Sequence, residues 1–317
     1  MAHEDVKAGL RDVAVGLLTP FDADREIDHD ALAANADEMA DRGISTFLAT
    51  ANISEYHSLS QAERIAAAEI AVEALPDDAT VLAGVGGSTK DATELVEAYD
   101  AMGVDAMMVM PPDHTYIHER GLLSYYDELA AVTDRPLAPY VRGFDPSIEY
   151  LIELSEMDPV AGIKYAITDA HKLARASAAG ADDVVWVCGV AEPYAPEFWL
   201  AGVEGFSAGV SNFEPSIGLA MFDALSAGDY ERAADLRDIT LPYMEFRTTT
   251  GPDNVFPDAN SVPAVKKGMA LSGLESGEER VREPIVELSP EDEARAEELH
   301  ADLLDEMERL GLEPAGR

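Results

Sequence analysis

Short apolar runs recur along the first two thirds of the chain, and between them apolar residues return every three or four positions. The runs cover 13–20, 44–50, 80–87, 104–112, 136–141, 160–165, 183–189 and 202–210. Their length and their wealth of Val, Ile, Phe and Met predict strands buried on both faces. The intervening stretches, such as 28–43, 60–76 and 89–103, open on Asp, Ser or Thr and close on Gly or Pro, which are the signals of helix ends. Alternation of buried strands with amphipathic helices implies right-handed βαβ crossovers and a parallel sheet.

Eight such units suit a closed (β/α)8 barrel better than an open sheet. An open doubly wound sheet usually carries a Gly-rich dinucleotide turn after its first strand, and here that strand ends in "LLTPF". Beyond residue 214 the pattern changes to helix after helix, over 215–228, 229–249, 261–273 and an acidic stretch at 289–310. The expected organisation is therefore an α/β (β/α)8 TIM barrel over 1–225, with a C-terminal helical extension over 226–317 packed on it.

Composition narrows the class further. With 317 residues, 47% of them hydrophobic, the chain can bury a large core. No apolar run approaches a membrane span, and "MAHEDVKAGLRD" lacks the basic and apolar regions of a signal peptide, so a cytoplasmic location is expected. The single Cys188 excludes an intrachain disulfide and a cysteine-rich metal site. Acidic residues number 62 against 22 basic ones, for a net charge of −40. Repulsion on that scale opposes compactness unless salt screens it, which fits the potassium-rich cytoplasm of a halophile. With no basic stripe to neutralise phosphates, neither nucleic acid nor an anionic membrane is expected as a partner.

The candidate chemistry centres on Lys164, in "VAGIKYAITD". The chain has only six lysines, and the other five fall in stretches that read as surface helix or loop. In such a barrel the C-terminal strand ends line the active site, so Lys164 would enter that mouth. Among apolar neighbours an amine tends to be neutral and hence nucleophilic towards a carbonyl. Equally, the side chain could snorkel to the rim and pair with an acid. Tyr140 ends the preceding strand, and a phenol beside the amine could shuttle protons while a carbinolamine loses water. Alone it would read as packing; the pair favours catalysis.

Around these two residues the sequence resembles the dihydrodipicolinate synthase and N-acetylneuraminate lyase family of Schiff-base barrel enzymes. The resemblance runs from about residue 13 to about 290 and rests on "GLLTPFDADREID", "SEYHSLSQAER", "GIKYAITD" and "SVPAVKKGMALSGL…VREPI". It implies an imine between Lys164 and a 2-keto acid, Tyr140 as proton shuttle, no cofactor, and a homotetramer.

Departures from the family pattern indicate the branch. The family's "GTTGE", which holds the keto-acid carboxylate, appears here as "ANISE", so Asn52 and Ile53 replace two threonines while Ser54 and Glu55 follow. An anion could still rest on backbone N–H groups of that turn. The threonine relay of the synthase does not carry over, nor does the tyrosine of its "PYY", which is "MPPDHTY" here. "WVCGVAEPYAPEFW" and "MEFRTT" resemble instead the branch acting on 2-keto-3-deoxy sugar acids as dehydratases or aldolases.

Further candidates follow. Arg142 could offer a fork to a second carboxylate or to hydroxyls, or form a rim salt bridge. Glu192 could accept from substrate hydroxyls or favour a helix N-terminus. Gly189 and Gly209 would allow close approach of substrate to backbone, or make tight turns. The loops 188–197 and 206–215 hold no Lys or Arg, which argues against a phosphorylated substrate.

Two rivals stand beside the imine enzyme. A metal site could use His114 and His118 with the adjacent Asp113 and Glu119, but Pro111 and Pro112 make that stretch a loop and no third ligand is evident, so no metal is expected. "GVGGSTK" lacks the spacing of a phosphate loop and reads as a strand end followed by a helix cap. The second rival is a barrel that binds a keto acid without catalysis. Among enzymes of the family, 4-hydroxy-tetrahydrodipicolinate synthase is the alternative to the sugar-acid lyase.

Overall fold

The computed structural model describes residues 2–112 and 114–315. Eight parallel strands close on themselves in chain order: β1 Val13–Gly16, β2 Thr46–Leu48, β3 Thr80–Val85, β4 Ala106–Val109, β5 Leu137–Val141, β6 Gly162–Tyr165, β7 Val185–Cys188 and β8 Gly205–Ser207. Each lies inside the apolar run that predicts it and is shorter. In six of the eight the run continues past the strand's C-terminal end, where the chain leaves the ladder to form the mouth; the runs of β5 and β6 stop with their strands and exceed them only at the N-terminal side.

Side chains alternate along these strands. Ala14, Leu48, Leu82, Met108, Ala138 and Val187 pack together in the barrel interior, while Val15, Phe47, Val81, Val109, Ile163 and Trp186 join the helices outside. Lys164 and Tyr140 fall in the interior phase, at the upper end of their strands.

A first helix, α1 (Ala2–Leu10), precedes the barrel and is not evident in the sequence pattern. Its Val6 and Leu10 belong to the interior cluster and close the barrel's N-terminal end. Glycine permits the close seat: a Cβ on Gly205 would lie 2.1 Å from the Leu10 carbonyl oxygen. Lys7 of this helix is buried and pairs with Asp183 at 3.0 Å, so it is not the surface lysine the sequence suggests.

The outer ring comprises α2 His29–Asp41, α3 Gln61–Ala74, α4 Thr89–Met102, α5 Glu119–Ala130, α6 Ile148–Ser155, α7 Ala170–Ala179, α8 Ala195–Leu200 and α9 Pro215–Ser226. Several start where the sequence places a cap: Asp28, Ser60, Ser88 and Ser147 each accept a backbone N–H of the first turn. Three more helices follow, α10 Tyr230–Arg247, α11 Ser261–Leu271 and α12 Pro290–Arg309. Their buried residues, among them Leu236, Tyr243, Val265 and Leu303, share one apolar cluster with the barrel's outer face. The Tyr243 hydroxyl donates to the Ala264 carbonyl at 2.8 Å and ties α10 to α11 beside the mouth. Among the described residues no helix is long and apolar enough to cross a membrane.

Candidate active site

Parallel pairing of β5 with β6 sets Tyr140 directly beside Lys164. The Lys164 Nζ stands over the Tyr140 ring, 3.7 Å from its centroid. Tyr140 is buried, and Arg142 Nη1 donates to its hydroxyl at 3.4 Å. Burial alone would push the phenol up; the charges of Lys164 and Arg142, with their hydrogen bonds, outweigh it and bring the Tyr140 pKa below its ordinary value.

Above this pair opens a cavity of about 800 Å³. Asn52 and Ile53 from the turn after β2, Gly189 after β7 and Arg142 after β5 line it together with Lys164 and Tyr140. The Asn52 Oδ1 is buried with no acceptor bond satisfied. Ile53 packs over Gly16, where a Cβ would come within 2.3 Å of its Cγ2, so this turn offers an apolar wall where the family pattern has a hydroxyl. Arg142 has no carboxylate of the described residues within salt-bridge distance, so the rim salt bridge weighed above is not formed.

Four expected contacts are corrected. The Ser54 hydroxyl accepts from the Ala51 N–H at 3.0 Å, and its carbonyl accepts from Thr19 at 2.7 Å, so this buried residue braces the turn from within. Glu55 is also buried under the turn: its Oε1 accepts from Lys266 Nζ at 2.6 Å and its Oε2 from the Arg282 N–H at 2.9 Å. Glu192 does not reach the cavity. Its carboxylate accepts the backbone N–H groups of Gly209, Val210 and Ser211 at 2.9, 3.3 and 2.9 Å, latching the loop after β7 to the loop after β8. Gly209 is needed by that latch, since a Cβ there would lie 2.4 Å from Glu192 Oε2, and it is not among the residues that line the cavity.

The structure also brings in residues not named individually above, although Thr168, Tyr194 and Arg247 lie within the stretches "GIKYAITD", "WVCGVAEPYAPEFW" and "MEFRTT" that carry the resemblance. Arg237 and Arg247 of α10 line the cavity, as do Thr168 and Tyr194. Arg247 lies four residues after the buried Tyr243, hence on a helix face turned inward. Lys266 is fully buried, contrary to its expected surface position. A signal for it existed, because Val262, Val265, Lys266 and Met269 form one helical stripe with a charge inside it.

At the loop after β4, the His114 ring accepts from the Tyr116 N–H at 2.9 Å, and His118 caps α5 by accepting from the Arg120 N–H at 3.1 Å. Asp113 lies outside the described residues. Among those described, no group of three or more His, Cys, Asp or Glu could hold a metal.

A (β/α)8 barrel that sets a lysine against a tyrosine at its C-terminal mouth, below a cavity sized for a small acid, has the form of a lysine-imine lyase. The chain belongs to the dihydrodipicolinate synthetase family, whose model matches residues 9–303, and it is a class I lyase. It is 32% identical over 282 residues to a probable 5-dehydro-4-deoxyglucarate dehydratase 2 of Streptomyces coelicolor, covering 87% of this chain and 84% of that one. A probable 5-dehydro-4-deoxyglucarate dehydratase of Oceanobacillus iheyensis is 26% identical over 286 residues, covering 89% and 91%. Among solved structures, dihydrodipicolinate synthase from Oceanobacillus iheyensis superimposes with a TM-score of 0.87 at 31% identity, over 94% of this chain and 97% of that one.

Proposed function

We propose that this protein dehydrates a 2-keto-3-deoxy sugar acid through an imine at Lys164. The observation that carries it is the Lys164 amine packed on the Tyr140 ring at the floor of the cavity. The relatives named as 5-dehydro-4-deoxyglucarate dehydratases support the choice of substrate, as does an Asn52–Ile53 turn without the hydroxyls that the synthase pattern carries.

The keto acid enters with its carboxylate against the Asn52–Ile53 turn. Unprotonated Lys164 attacks the keto carbon, Tyr140 gives a proton to the departing hydroxyl of the carbinolamine, and the protonated imine forms. The imine then withdraws electrons so that C3 loses a proton. The resulting enamine expels the C4 hydroxyl, which leaves as water on taking up a proton, and hydrolysis of the product imine restores the amine. Assembly as a homotetramer in a salt-rich cytoplasm belongs to the same proposal; exposed Tyr116, Val255 and Phe256 supply apolar surface for subunits to bury.

Borohydride reduction in the presence of pyruvate is the direct test. A stable adduct on Lys164 is expected, absent in Lys164→Ala. Without an adduct the chain would be a keto-acid binder that forms no imine. Consumption of 5-dehydro-4-deoxyglucarate separates the dehydratase from the synthase, for which pyruvate with aspartate semialdehyde would turn over instead.

A further inference from the structure

Arg247 is the last residue of α10 and turns into the mouth of the barrel. Its Nη2 donates to Ser261 Oγ at 3.1 Å and its Nη1 approaches Met244 Sδ at 3.2 Å, while the buried Nε has no acceptor. Arg142 enters the same cavity from the end of β5, near enough that each guanidinium senses the other's charge.

Neither arginine has a carboxylate of the described residues within salt-bridge distance. Arg237, in the same lining, is neutralised by Asp238 at 2.6 Å. The Glu192 carboxylate near Arg247 is engaged by three backbone N–H groups. Asp258 also lines the cavity, but it is exposed at the rim. In a chain with 62 acidic residues, two like charges facing one cavity without a paired acid form a site waiting for an anion.

That anion is not the carboxylate beside the keto group. The first carboxylate is placed by the turn after β2, whereas the arginines arrive from the end of β5 and from α10. We propose that Arg247, together with Arg142, holds a second carboxylate at the far end of the substrate, making the site selective for 2-keto dicarboxylates over monocarboxylates of equal length. The planar fork of each guanidinium suits a carboxylate. This rests on the imine chemistry proposed above and assigns the residues that select among its substrates.

The test compares two six-carbon probes that differ only at the distal end, 2-oxoadipate and 2-oxohexanoate, by borohydride trapping on Lys164. For the wild-type protein the concentration giving half-maximal trapping should be at least about tenfold lower for 2-oxoadipate, as expected for a charge-assisted contact. In Arg247→Met and in Arg142→Met that ratio should fall towards one, and Arg247→Lys should keep part of it. Because the ratio is internal to each variant, a partial folding defect cannot imitate the result. Equal trapping of the two probes by wild type, or an undiminished preference in both Met variants, would overturn the assignment. Pyruvate has no distal group: if it forms an adduct while 2-oxoadipate enjoys no advantage, only the arginine assignment fails, and if no keto acid forms an adduct, the imine chemistry itself fails.

Discussion

At the Tyr140 hydroxyl two influences oppose one another. Burial disfavours the phenolate more than any other single effect, yet Lys164 and Arg142 together bring the pKa down. A phenol whose pKa is lowered in this way is a stronger acid towards a departing hydroxyl than an ordinary tyrosine. Deleting the Arg142 guanidinium removes a downward influence, so the Tyr140 pKa must rise. Because Tyr140 acts in its protonated form when the carbinolamine loses water, in Arg142→Met the descending limb of the pH profile for pyruvate trapping should therefore move to higher pH. Tyr140→Phe should slow trapping by roughly 10²–10⁴-fold, the usual weight of a positioned acid–base group. An Arg142→Met profile that overlays wild type would remove this hydroxyl from the chemistry. Lys164, Tyr140 and Arg142 were legible in the sequence because each sits at or next to a strand end, a position that local pattern alone defines. Glu192 was misread for the opposite reason. Its partners lie 17 to 19 residues onward in the next βα loop, and nothing in "CGVAEPYAPE" shows that three amides will converge on it.

Elements far apart in the chain cooperate to hold the turn after β2. Glu55 has a φ of +59°, between the 3-10 turns Asn52–Ser54 and Tyr56–Ser58, a conformation that costs a non-glycine residue roughly 1–2 kcal/mol. Its carboxylate is anchored by Lys266 of α11, which lies 211 residues away, donates also to the Arg280 carbonyl and stands over the Phe21 ring. Burial lowers the Lys266 pKa while Glu55 opposes that fall. Lys266→Met would leave the carboxylate buried and unpaired, at a cost of about 3–5 kcal/mol measured by urea denaturation. Lys266→Met with Glu55→Leu should recover most of that stability and still require more pyruvate for half-maximal trapping, because the turn has lost its anchor. Recovery of both would show that the pair braces the fold without positioning the turn. Strands and capped helices could be read from the sequence since their signals are local. Helix α1 could not: nine residues are marginal as an isolated helix, and this one gains its stability by plugging the barrel.

Across the whole molecule the ion pairs are mostly exposed and join acids to the few bases available, as in Arg11–Glu204 at 2.7 Å and Arg135–Asp100 at 3.1 Å. Such pairs contribute about 0–1 kcal/mol each. They leave most of the 62 carboxylates without a cationic partner, since 22 basic residues cannot serve them all. The net charge of −40 is spread around the ring of helices, so the repulsion acts between neighbouring faces over distances that salt controls. The screening length falls from roughly 10 Å at 0.1 M to roughly 3 Å at 1 M. The thermal midpoint should accordingly climb steeply between 0.1 and 1 M potassium chloride and flatten above that, once neighbouring charges no longer sense one another. Sodium chloride at equal ionic strength should trace the same curve, because screening depends on ionic strength and not on the identity of the cation. A midpoint that rises linearly to 3 M without flattening would assign the stabilisation to enhanced burial of apolar surface instead, and a midpoint indifferent to salt would show that the packed barrel outweighs the repulsion unaided.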